Sequence, residues 1–242
     1  MNTMVSASDF HIHDDSKLEV IKRFTGEMDA LEPKVLILLG DIGDPWEATW
    51  DEIRRTQSWK ELEELIRRRD DKKQKTVWVN RNHDYSARRN YLAGTPTVSI
   101  YRVDDFLFMH GWEFDWIWNG FDCIWNIPLL PGISGVAYWL SSTFPGFSIR
   151  LWAWLGAWPC FKKKTPYQNK ARMAREDWTK LIGLVHLRAM DYAQRKKVKL
   201  VIGHTHCPAV YEDLLADDGD MVDSFSFIYI QDGRWELRTI QL

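Results

Sequence analysis

The segment Val35–Asp44 has the sequence VLILLGDIGD, in which six apolar residues flank a Gly-Asp pair. A short, continuous apolar run that stops at a glycine is typical of a buried strand in a sheet covered on both faces. Asp41 would then lie where this strand ends, at the edge where open α/β sheets gather their ligands. If histidines and other carboxylates end neighbouring strands, a carboxylate at this position can bridge two metal ions.

Polar motifs follow several other predicted strands. The first of these strands delivers Asp9 and His11, which can bind one ion together because alternate residues of an extended segment point the same way. The strands and their motifs are Met4–Ser8 with Asp9-Phe10-His11, Thr76–Val79 with Asn82-His83-Asp84, Phe106–Met109 with His110-Gly111, and Lys199–Ile202 with Gly203-His204-Thr205-His206. Each motif alone also fits a polar turn after a strand, but together they predict one site.

The residue types in these motifs indicate separate roles. Asn82 is a neutral oxygen ligand, His83 is an acid–base candidate, and Asp84 is expected to orient the His83 ring. Outside the motifs, His186 stands alone on a predicted helix and is expected to be a packed or exposed helix residue rather than a ligand. Cys207, next to the last motif, is expected to be a small buried thiol.

Helical and hairpin patterns account for much of the remaining chain. The pattern Ser16-Lys17-Leu18-Glu19 is a capping box and predicts a helix to about Ala30. Further helices are predicted over Trp46–Asp70 and Ala171–Lys197. Predicted hairpins pair Thr97–Tyr101 with Phe106–Met109, and Ser224–Gln231 with Trp235–Gln241 through an Asp232-Gly233 turn. Buried strands combined with these helices predict an α/β fold.

Length and composition limit the class of protein. A chain of 242 residues can form one α/β domain over residues 1–242 with a sizeable core. A net charge of -2 and a pI near 6.4 give no electrostatic reason to expect duplex nucleic acid as a partner. Three cysteines without CxxC spacing favour a reduced compartment, and the N-terminal residues lack the pattern of a signal peptide. The expected localisation is therefore cytoplasmic.

In this combination and order, the motifs resemble the calcineurin-like metallophosphoesterase superfamily, whose pattern is DxH, GD, GNH(D/E), H and GHxH. The matching residues are Asp9 and His11, Gly40-Asp41, Asn82-His83-Asp84, His110, and Gly203-His204-Thr205-His206. The resemblance implies an αββα sandwich and two divalent metal ions bridged by Asp41. It implies that one ion is held by Asp9, His11, Asp41 and His206, and the other by Asp41, Asn82, His110 and His204.

The implied chemistry is hydrolysis of a phosphoester bond. Mixed carboxylate and imidazole ligands suit Mn, Fe or Zn better than Ca. Two ions roughly 3.5–4 Å apart can convert a bridging water to hydroxide and neutralise phosphoryl oxygens during in-line attack. His83, hydrogen-bonded to Asp84, is the candidate to stabilise or protonate the leaving group. Arg81 occupies the usual glycine position before Asn82, where it is either harmless or reaches toward an anionic substrate.

An apolar insertion over residues 112–165 holds eight of the fourteen tryptophans, and no charged residue lies between Asp122 and Arg150. A single membrane crossing is incompatible with the return of His204 and His206 to the site of Asp41, and three prolines interrupt a continuous helix. Two interpretations remain open. The insertion is a buried subdomain, or it is a mainly helical lid that enters a membrane surface and accepts a lipid chain, with Lys162-Lys163-Lys164 meeting anionic headgroups.

A lid at this position resembles that of the UDP-2,3-diacylglucosamine hydrolases, and the segments His110–Asp115 and Gly219–Ser224 resemble the same subgroup. This resemblance implies Mn²⁺, peripheral association with the inner membrane face, and attack at the α-phosphorus to release UMP and an acylated sugar phosphate. The hydrolases of proteobacteria carry arginine where this chain has His83, which leaves open a different pyrophosphate or phosphodiester lipid.

Other classes of function are also compatible with these motifs. A soluble phosphodiesterase or nucleotide phosphatase would need the insertion to be a folded structural unit. A non-catalytic scaffold is disfavoured because all seven implied metal ligands are present. A nuclease is disfavoured by the acidic pI.

Overall fold

The computed structural model describes residues 3–80, 83–84, 92–114 and 175–241, with the backbone alone for residues 175–181. The strands in these ranges are β1 (Thr3–Ala7), β2 (Val35–Leu38), β3 (Lys75–Val79), β4 (Thr97–Val98), β5 (Tyr101–Val103), β6 (Phe106–Phe108), β7 (Lys199–Ile202), β8 (Ala209–Tyr211), β9 (Leu215–Asp217), β10 (Ser226–Gln231) and β11 (Arg234–Thr239). The α-helices are α1 (Leu18–Leu31), α2 (Trp50–Ile53), α3 (Gln57–Asp71) and α4 (Arg175–Lys196).

The strands form two mixed sheets. The first sheet has the order β11-β10-β1-β2-β3-β4, and the second has the order β5-β6-β7-β9-β8. In the first sheet β1, β2, β3 and β4 run parallel, and in the second sheet β6, β7 and β9 do so. The loops that leave the carboxyl ends of parallel strands are therefore gathered along one edge of each sheet.

Residues of β2 and the position that follows it serve two different cores. Leu36 and Leu38 pack on one face of the first sheet together with α1 and α3. Ile37 and Leu39 point to the opposite face, toward the second sheet. All four side chains have an exposed fraction of 0 %. This alternation follows from the two-residue period of a strand, and it confirms the predicted strand that is covered on both faces.

The second sheet is covered in the same way. Phe108 and Val201 face the first sheet, whereas Leu107 and Leu200 on the neighbouring positions face α4. The chain therefore has four layers in the order helix, sheet, sheet, helix. This architecture confirms the predicted αββα fold.

The predicted capping box at Ser16 is wrong. Helix α1 begins at Leu18 after Lys17, whose side chain makes no capping hydrogen bond. The backbone N–H of Ser16 instead donates to Oδ1 of Asp14 at 2.9 Å, and Glu19 forms an ion pair with Arg23 on the helix surface.

A capping box does form further along the chain, at the start of α2. The Thr49 hydroxyl accepts from the backbone N–H of Glu52 at 3.2 Å, and the Glu52 carboxylate accepts from the N–H of Thr49 at 2.8 Å. The predicted helix Trp46–Asp70 accordingly divides into α2 and α3, and Thr56 caps α3 by accepting from the backbone N–H of Trp59.

The prediction of a single strand over Thr97–Tyr101 is also wrong, because this segment contributes to two strands in different sheets. Thr97 and Val98 form β4, which pairs with β3 in the first sheet. Tyr101 begins β5, which pairs with β6 in the second sheet. The chain crosses between the sheets at this point, and a hydrophobic pattern alone does not show such a crossing. The second predicted hairpin is confirmed, with β10 and β11 joined through Asp232 and Gly233.

Several predictions fall on residues that the structure does not describe. These are Arg81, Asn82 and all of the 112–165 insertion after Phe114. The described start of the insertion, Trp112–Phe114, is a short 3-10 helix, and the Phe114 ring packs against Tyr192 of α4 with a centroid separation of 5.5 Å. Among the described helices, none combines the length and the apolar character that a membrane crossing requires.

Candidate metal centre

The strand ends bring six of the seven predicted metal ligands together. Backbone hydrogen bonds join the loops that carry them, from Asp9 N–H to Gly40 C=O at 3.0 Å and from His11 N–H to Asp41 C=O at 2.9 Å. The six residues and the strands that they follow are Asp9 and His11 (β1), Asp41 (β2), His110 (β6), and His204 and His206 (β7). The seventh, Asn82, lies outside the described residues.

Three overlapping groups of side chains place possible ligand atoms within 4.8 Å of one another. They are Asp9 with His11 and His206, Asp41 with His110 and His204, and His11 with Asp41 and His83. The first two groups each contain three of the four residues of an ion shell that the family resemblance implies. The third group adds His83, which the sequence pointed to as an acid–base residue.

Each carboxylate is held by one oxygen and directs the other toward the centre. Oδ2 of Asp9 accepts from the backbone N–H of His204 at 2.8 Å, while Oδ1 lies 3.5 Å from Nε2 of His206. Oδ1 of Asp41 accepts from the backbone N–H of His83 at 2.9 Å, while Oδ2 lies 3.3 Å from Nε2 of His110. This arrangement fixes both side chains and leaves an oxygen of each at the centre.

Two buried atoms of the site lack a hydrogen-bond partner within the described part of the chain. They are Oδ1 of Asp9 and Nε2 of His110, and both side chains have an exposed fraction of 0 %. Leaving such atoms unpaired is costly, so native proteins rarely do it without a reason. A divalent cation would satisfy both atoms, and carboxylate and imidazole donors suit a transition metal. The residues present therefore fit a metal site.

The far ring nitrogens of the histidines are fixed by a second set of acceptors. Nδ1 of His110 contacts the backbone oxygen of Leu39 at 2.7 Å, and Nδ1 of His206 contacts Oδ2 of Asp220 at 2.9 Å. Such contacts set the tautomer and the ring orientation of a histidine ligand. In both residues Nε2 is left as the nitrogen that faces the centre.

Asp220 is itself held by the chain that follows it. Its Oδ1 accepts from the backbone N–H groups of Val222, Asp223 and Ser224 at 2.9, 2.6 and 2.8 Å. The segment Gly219–Ser224, which the sequence marked only as a subgroup resemblance, is thus a turn that positions His206.

Asp44 is the carboxylate that contacts the ring of His83. Its Oδ1 lies 2.8 Å from Nδ1 of His83, and its Oδ2 lies 3.3 Å from Nδ1 of His11. The indole of Trp46 stacks on the His83 ring, with a centroid separation of 3.8 Å. Neither Asp44 nor Trp46 was assigned a role from the sequence. The only feature of the sequence that indicated a role for Asp44 was its position three residues after Asp41.

The expected contact between Asp84 and the His83 ring is wrong. The buried carboxylate of Asp84 accepts instead from the backbone N–H groups of Ile42 and Gly43 at 2.8 and 3.1 Å, and from the indole N–H of Trp78 at 2.8 Å. Asp84 therefore fixes the turn that follows Asp41.

The ligand loops have an unusual backbone conformation. Five of the six described ligand candidates have a positive φ, in the range 47–71°. Asp and His are among the residues that tolerate this left-handed region, but each such residue still costs about 1–3 kcal/mol. The residues concerned are Asp9, His11, Asp41, His204 and His206. Strain of this kind is typical of functional sites, where surrounding contacts hold it in place.

Opposite charges shift the pKa values of the site strongly. Burial raises the pKa of Asp41, but the positive charges of His110 and His83 outweigh this and lower it to about 2. Burial lowers the pKa of His110, but the carboxylates of Asp41 and Asp9 outweigh this and raise it to about 10. Burial and the charge of Asp41 raise the pKa of Asp84 to about 7. The site thus attracts positive charge, which a metal ion would supply in place of protons.

Comparisons with known proteins give a family match and several similar solved structures. The family model of the calcineurin-like phosphoesterases matches residues 4–208. Solved structures that are similar include Yfce, a phosphoesterase from E. coli, at 13 % identity and a TM-score of 0.44, covering 99 % of this chain and 100 % of that one. TT1561 of Thermus thermophilus is 10 % identical with a TM-score of 0.45, and 99 % of each chain is covered.

A protein of Streptococcus pneumoniae TIGR4, described as a predicted phosphoesterase, is 12 % identical with a TM-score of 0.38, covering 98 % of this chain and 87 % of that one. A search of the curated proteins found no match. The family match itself covers most of the chain, including the strands that carry the clustered carboxylates and histidines. The chain belongs to the calcineurin-like phosphoesterase family and is a metal-dependent phosphohydrolase.

Proposed function

We propose that this protein uses two divalent metal ions to hydrolyse a phosphoester or pyrophosphate bond in a nucleotide-diphosphate lipid such as UDP-2,3-diacylglucosamine. The observation that supports two ions is the position of Asp41. Its carboxylate lies 3.3 Å from Nε2 of His110, which belongs to its own group of possible ligands. It also lies 3.9 Å from Nε2 of His11, which groups with Asp9 and His206.

In this proposal the chain provides two sets of ligands, with Mn²⁺ as the preferred ion and Fe or Zn as the alternatives. The first set is Asp9, His11, Asp41 and His206, and the second is Asp41, Asn82, His110 and His204. When bound, the two ions supply an activated water and neutralise charge on the phosphoryl oxygens. The distances among the six described residues support these sets, and Asn82 joins the second set on the family pattern alone.

His83 is proposed to hold the proton that the leaving group takes up. Its Nδ1 is engaged by Asp44, so Nε2 is the nitrogen that faces the centre, 4.0 Å from Oδ2 of Asp41. Burial lowers the pKa of His83, but the charges of Asp41 and Asp44 outweigh this and raise it above its ordinary value. This shift favours the protonated ring, which is the form that a general acid requires. Asp84 contributes by fixing the turn after Asp41.

The lipid substrate is proposed from the sequence of the 112–165 insertion. Eight tryptophans, a long uncharged stretch and the following Lys162-Lys163-Lys164 suit a lid that associates with an anionic membrane surface and accepts an acyl chain. Arg81, two residues before His83 in the chain, is proposed to bind an anionic group of the substrate. The membrane association would be peripheral, on the inner membrane face.

A second candidate is a soluble phosphodiesterase or nucleotide phosphatase in which the insertion is a structural unit. The observation that favours it is His83 itself. The UDP-2,3-diacylglucosamine hydrolases of proteobacteria carry arginine at the corresponding position, so their lipid substrate does not transfer directly to this chain.

The test is Mn²⁺-dependent release of UMP from UDP-2,3-diacylglucosamine in mixed micelles, measured beside hydrolysis of bis(p-nitrophenyl) phosphate in plain buffer. Asp41→Ala, which is expected to keep the fold and removes the proposed shared ligand, is the inactive control. Turnover of the lipid supports the proposal. Cleavage of the soluble reporter alone favours the second candidate, and wild-type activity of Asp41→Ala would contradict the two-metal assignment.

A further inference from the structure

A buried polar network connects α4 to the loop that carries His204 and His206. Three of its members are almost completely buried, with exposed fractions of 3 % for His186, 1 % for Thr205 and 0 % for Asp217. The fourth, Tyr211, lies at the surface on β8. None of these side chains belongs to the groups of possible metal ligands, so the proposed chemistry does not account for them.

The four side chains form one continuous chain of hydrogen bonds. The Thr205 hydroxyl donates to Oδ2 of Asp217 at 2.7 Å, and Nε2 of His186 lies 2.8 Å from the same oxygen. Nδ1 of His186 lies 2.9 Å from the Tyr211 hydroxyl. The other oxygen of Asp217 accepts from the backbone N–H of Gly219 at 2.9 Å.

One assignment of the protons satisfies every member of the network. Asp217 is a carboxylate that accepts from Thr205, from Nε2–H of His186 and from Gly219, and Tyr211 donates to Nδ1 of His186. His186 is therefore a packed helix residue, which was one of the two roles expected from the sequence, the other being an exposed helix residue. Both of its ring nitrogens, however, are used to join α4 to the second sheet.

Thr205 is the member through which the network reaches the site. It stands between His204 and His206, whose φ angles of 71° and 55° are in the left-handed region. Its hydroxyl also accepts from the backbone N–H of Cys207 at 3.1 Å. The Thr205 side chain, which lies between the two ligand candidates, is thus held by Asp217 and by the backbone of Cys207. Such contacts keep a strained loop in place.

We propose that Asp217 and His186 are positioning residues which, through Thr205, hold His204 and His206 where they can bind metal. The inference rests on the proposed two-metal function. Because His206 groups with Asp9 and His204 groups with Asp41, one loop serves both ions. Loss of the network therefore weakens both metal sites together, whereas loss of a ligand that belongs to one set alone, such as His206, acts first on one of them.

The test is the affinity and stoichiometry of Mn²⁺ binding, measured by titration calorimetry without substrate. Thr205→Val keeps the shape of the side chain but removes the hydroxyl. It is expected to weaken both Mn²⁺ sites by about 10–100-fold, the usual effect of losing an outer hydrogen-bond partner of a ligand. Thr205→Ser restores the hydroxyl and is expected to recover most of the affinity. His186→Leu removes the outer partner of Asp217 and is expected to act in the same direction.

Thr25→Val is the matched control for a merely structural effect. Thr25 is also buried, and its hydroxyl donates to Oε1 of Glu61 at 3.0 Å, but it lies on α1 in the other helical layer. It is expected to lower the melting temperature without changing Mn²⁺ affinity.

The possible results separate the two proposals. If the wild-type chain binds Mn²⁺ at two sites and Thr205→Val binds it equally well, the positioning role is wrong and the proposed function stands. If the wild-type chain binds no divalent metal, the proposed function fails, and this inference fails with it. Should Thr205→Val not fold, unchanged affinity in His186→Leu overturns the inference in the same way.

Discussion

His83 presents a single ring nitrogen to the candidate metal centre. Asp44 engages Nδ1 at 2.8 Å, and Trp46 covers one face of the ring. These contacts leave Nε2 as the atom that can exchange a proton with a substrate. They also allow a competing role, because His83 forms a possible metal-binding group with His11 and Asp41. The two roles make different predictions.

If His83 supplies the proton, His83→Ala is expected to lower kcat by about 10²–10⁴-fold while leaving the Mn²⁺ stoichiometry unchanged. The loss should be largest for a phosphodiester with an alkyl leaving group, which needs a proton to depart. It should be small for bis(p-nitrophenyl) phosphate, whose leaving group is stable as an anion. Equal losses for both substrates would contradict proton donation, and a lower Mn²⁺ stoichiometry would make His83 a ligand.

His110 predicts a second effect at the scale of one residue. Because its pKa is raised to about 10, both ring nitrogens of His110 carry a proton at pH 7 when only the protein groups surround it. Binding of a metal at Nε2 requires that this proton leave, so Mn²⁺ affinity is expected to rise as the pH rises from 6 toward 10. Titration calorimetry in buffers of different ionisation enthalpy measures the released protons directly. Heats that do not depend on the buffer would contradict the prediction.

The sequence identified the ligand candidates but not the residues that orient them. Asp9, His11 and Asp41 could be predicted because each lies in or next to a short motif at the end of an apolar strand. Asp44 and Asp220 were not assigned because their roles depend on contacts with histidines 39 and 14 residues away. The Asp84 contact was predicted from adjacency, but the strand end turns the two neighbouring side chains toward different partners.

At the scale of an element, the turn after β2 depends on Gly40. This residue has a φ of 90°, and a Cβ atom added there would lie 2.4 Å from Nδ1 of His110. The same ring nitrogen contacts the backbone oxygen of Leu39 at 2.7 Å. The glycine therefore allows the end of the strand and the His110 ring to approach closely.

Gly40→Ala is expected to displace His110 and to weaken Mn²⁺ binding by about 10–100-fold, as does the loss of other contacts that orient a ligand. Gly233→Ala is the matched control, because Gly233 has a φ of 78° but a Cβ atom there meets nothing within 4 Å. Both variants carry the backbone strain, and only the first carries the collision. Mn²⁺ affinity that falls equally in both variants would show that the collision is unimportant.

The elements themselves were predictable to different degrees. Strand β2 could be predicted because apolar residues on both of its faces serve two cores. The strand Thr97–Tyr101 was predicted as one piece because its composition is uniformly compatible with a strand, whereas its two ends pair with β3 and β6 in different sheets. Strands β8 and β9 have three residues each, too few for a hydrophobic period to emerge.

At the scale of the whole molecule, each possible metal group that matches an implied ion shell takes ligands from both sheets. Asp9 and His11 follow a strand of the first sheet, while His206 follows a strand of the second. Asp41 belongs to the first sheet, while His110 and His204 belong to the second. A bound ion would therefore connect the two halves of the sandwich at their shared edge.

Metal removal is consequently expected to lower the stability of the whole fold. An ion present at 100 times its dissociation constant adds about 2.7 kcal/mol per site, and about 1 kcal/mol corresponds to 2–4 °C for a chain of this size. The melting temperature is expected to rise by several degrees on titration with Mn²⁺ and to fall again with a chelator. In His206→Ala the rise should be smaller, and no rise in the wild type would contradict binding at these groups.

The two sheets also contact each other through the apolar layer of Ile37, Leu39, Phe108 and Val201. In a cell that is short of metal, newly made copies would lack the ions that connect the sheets at the ligand edge. They would rely on that layer and on hydrogen bonds such as the one from the backbone N–H of His204 to Oδ2 of Asp9. Such copies open more often, and the opened chain is what proteases cleave. The supply of metal would then determine how long each copy of the protein survives, in addition to how fast it works.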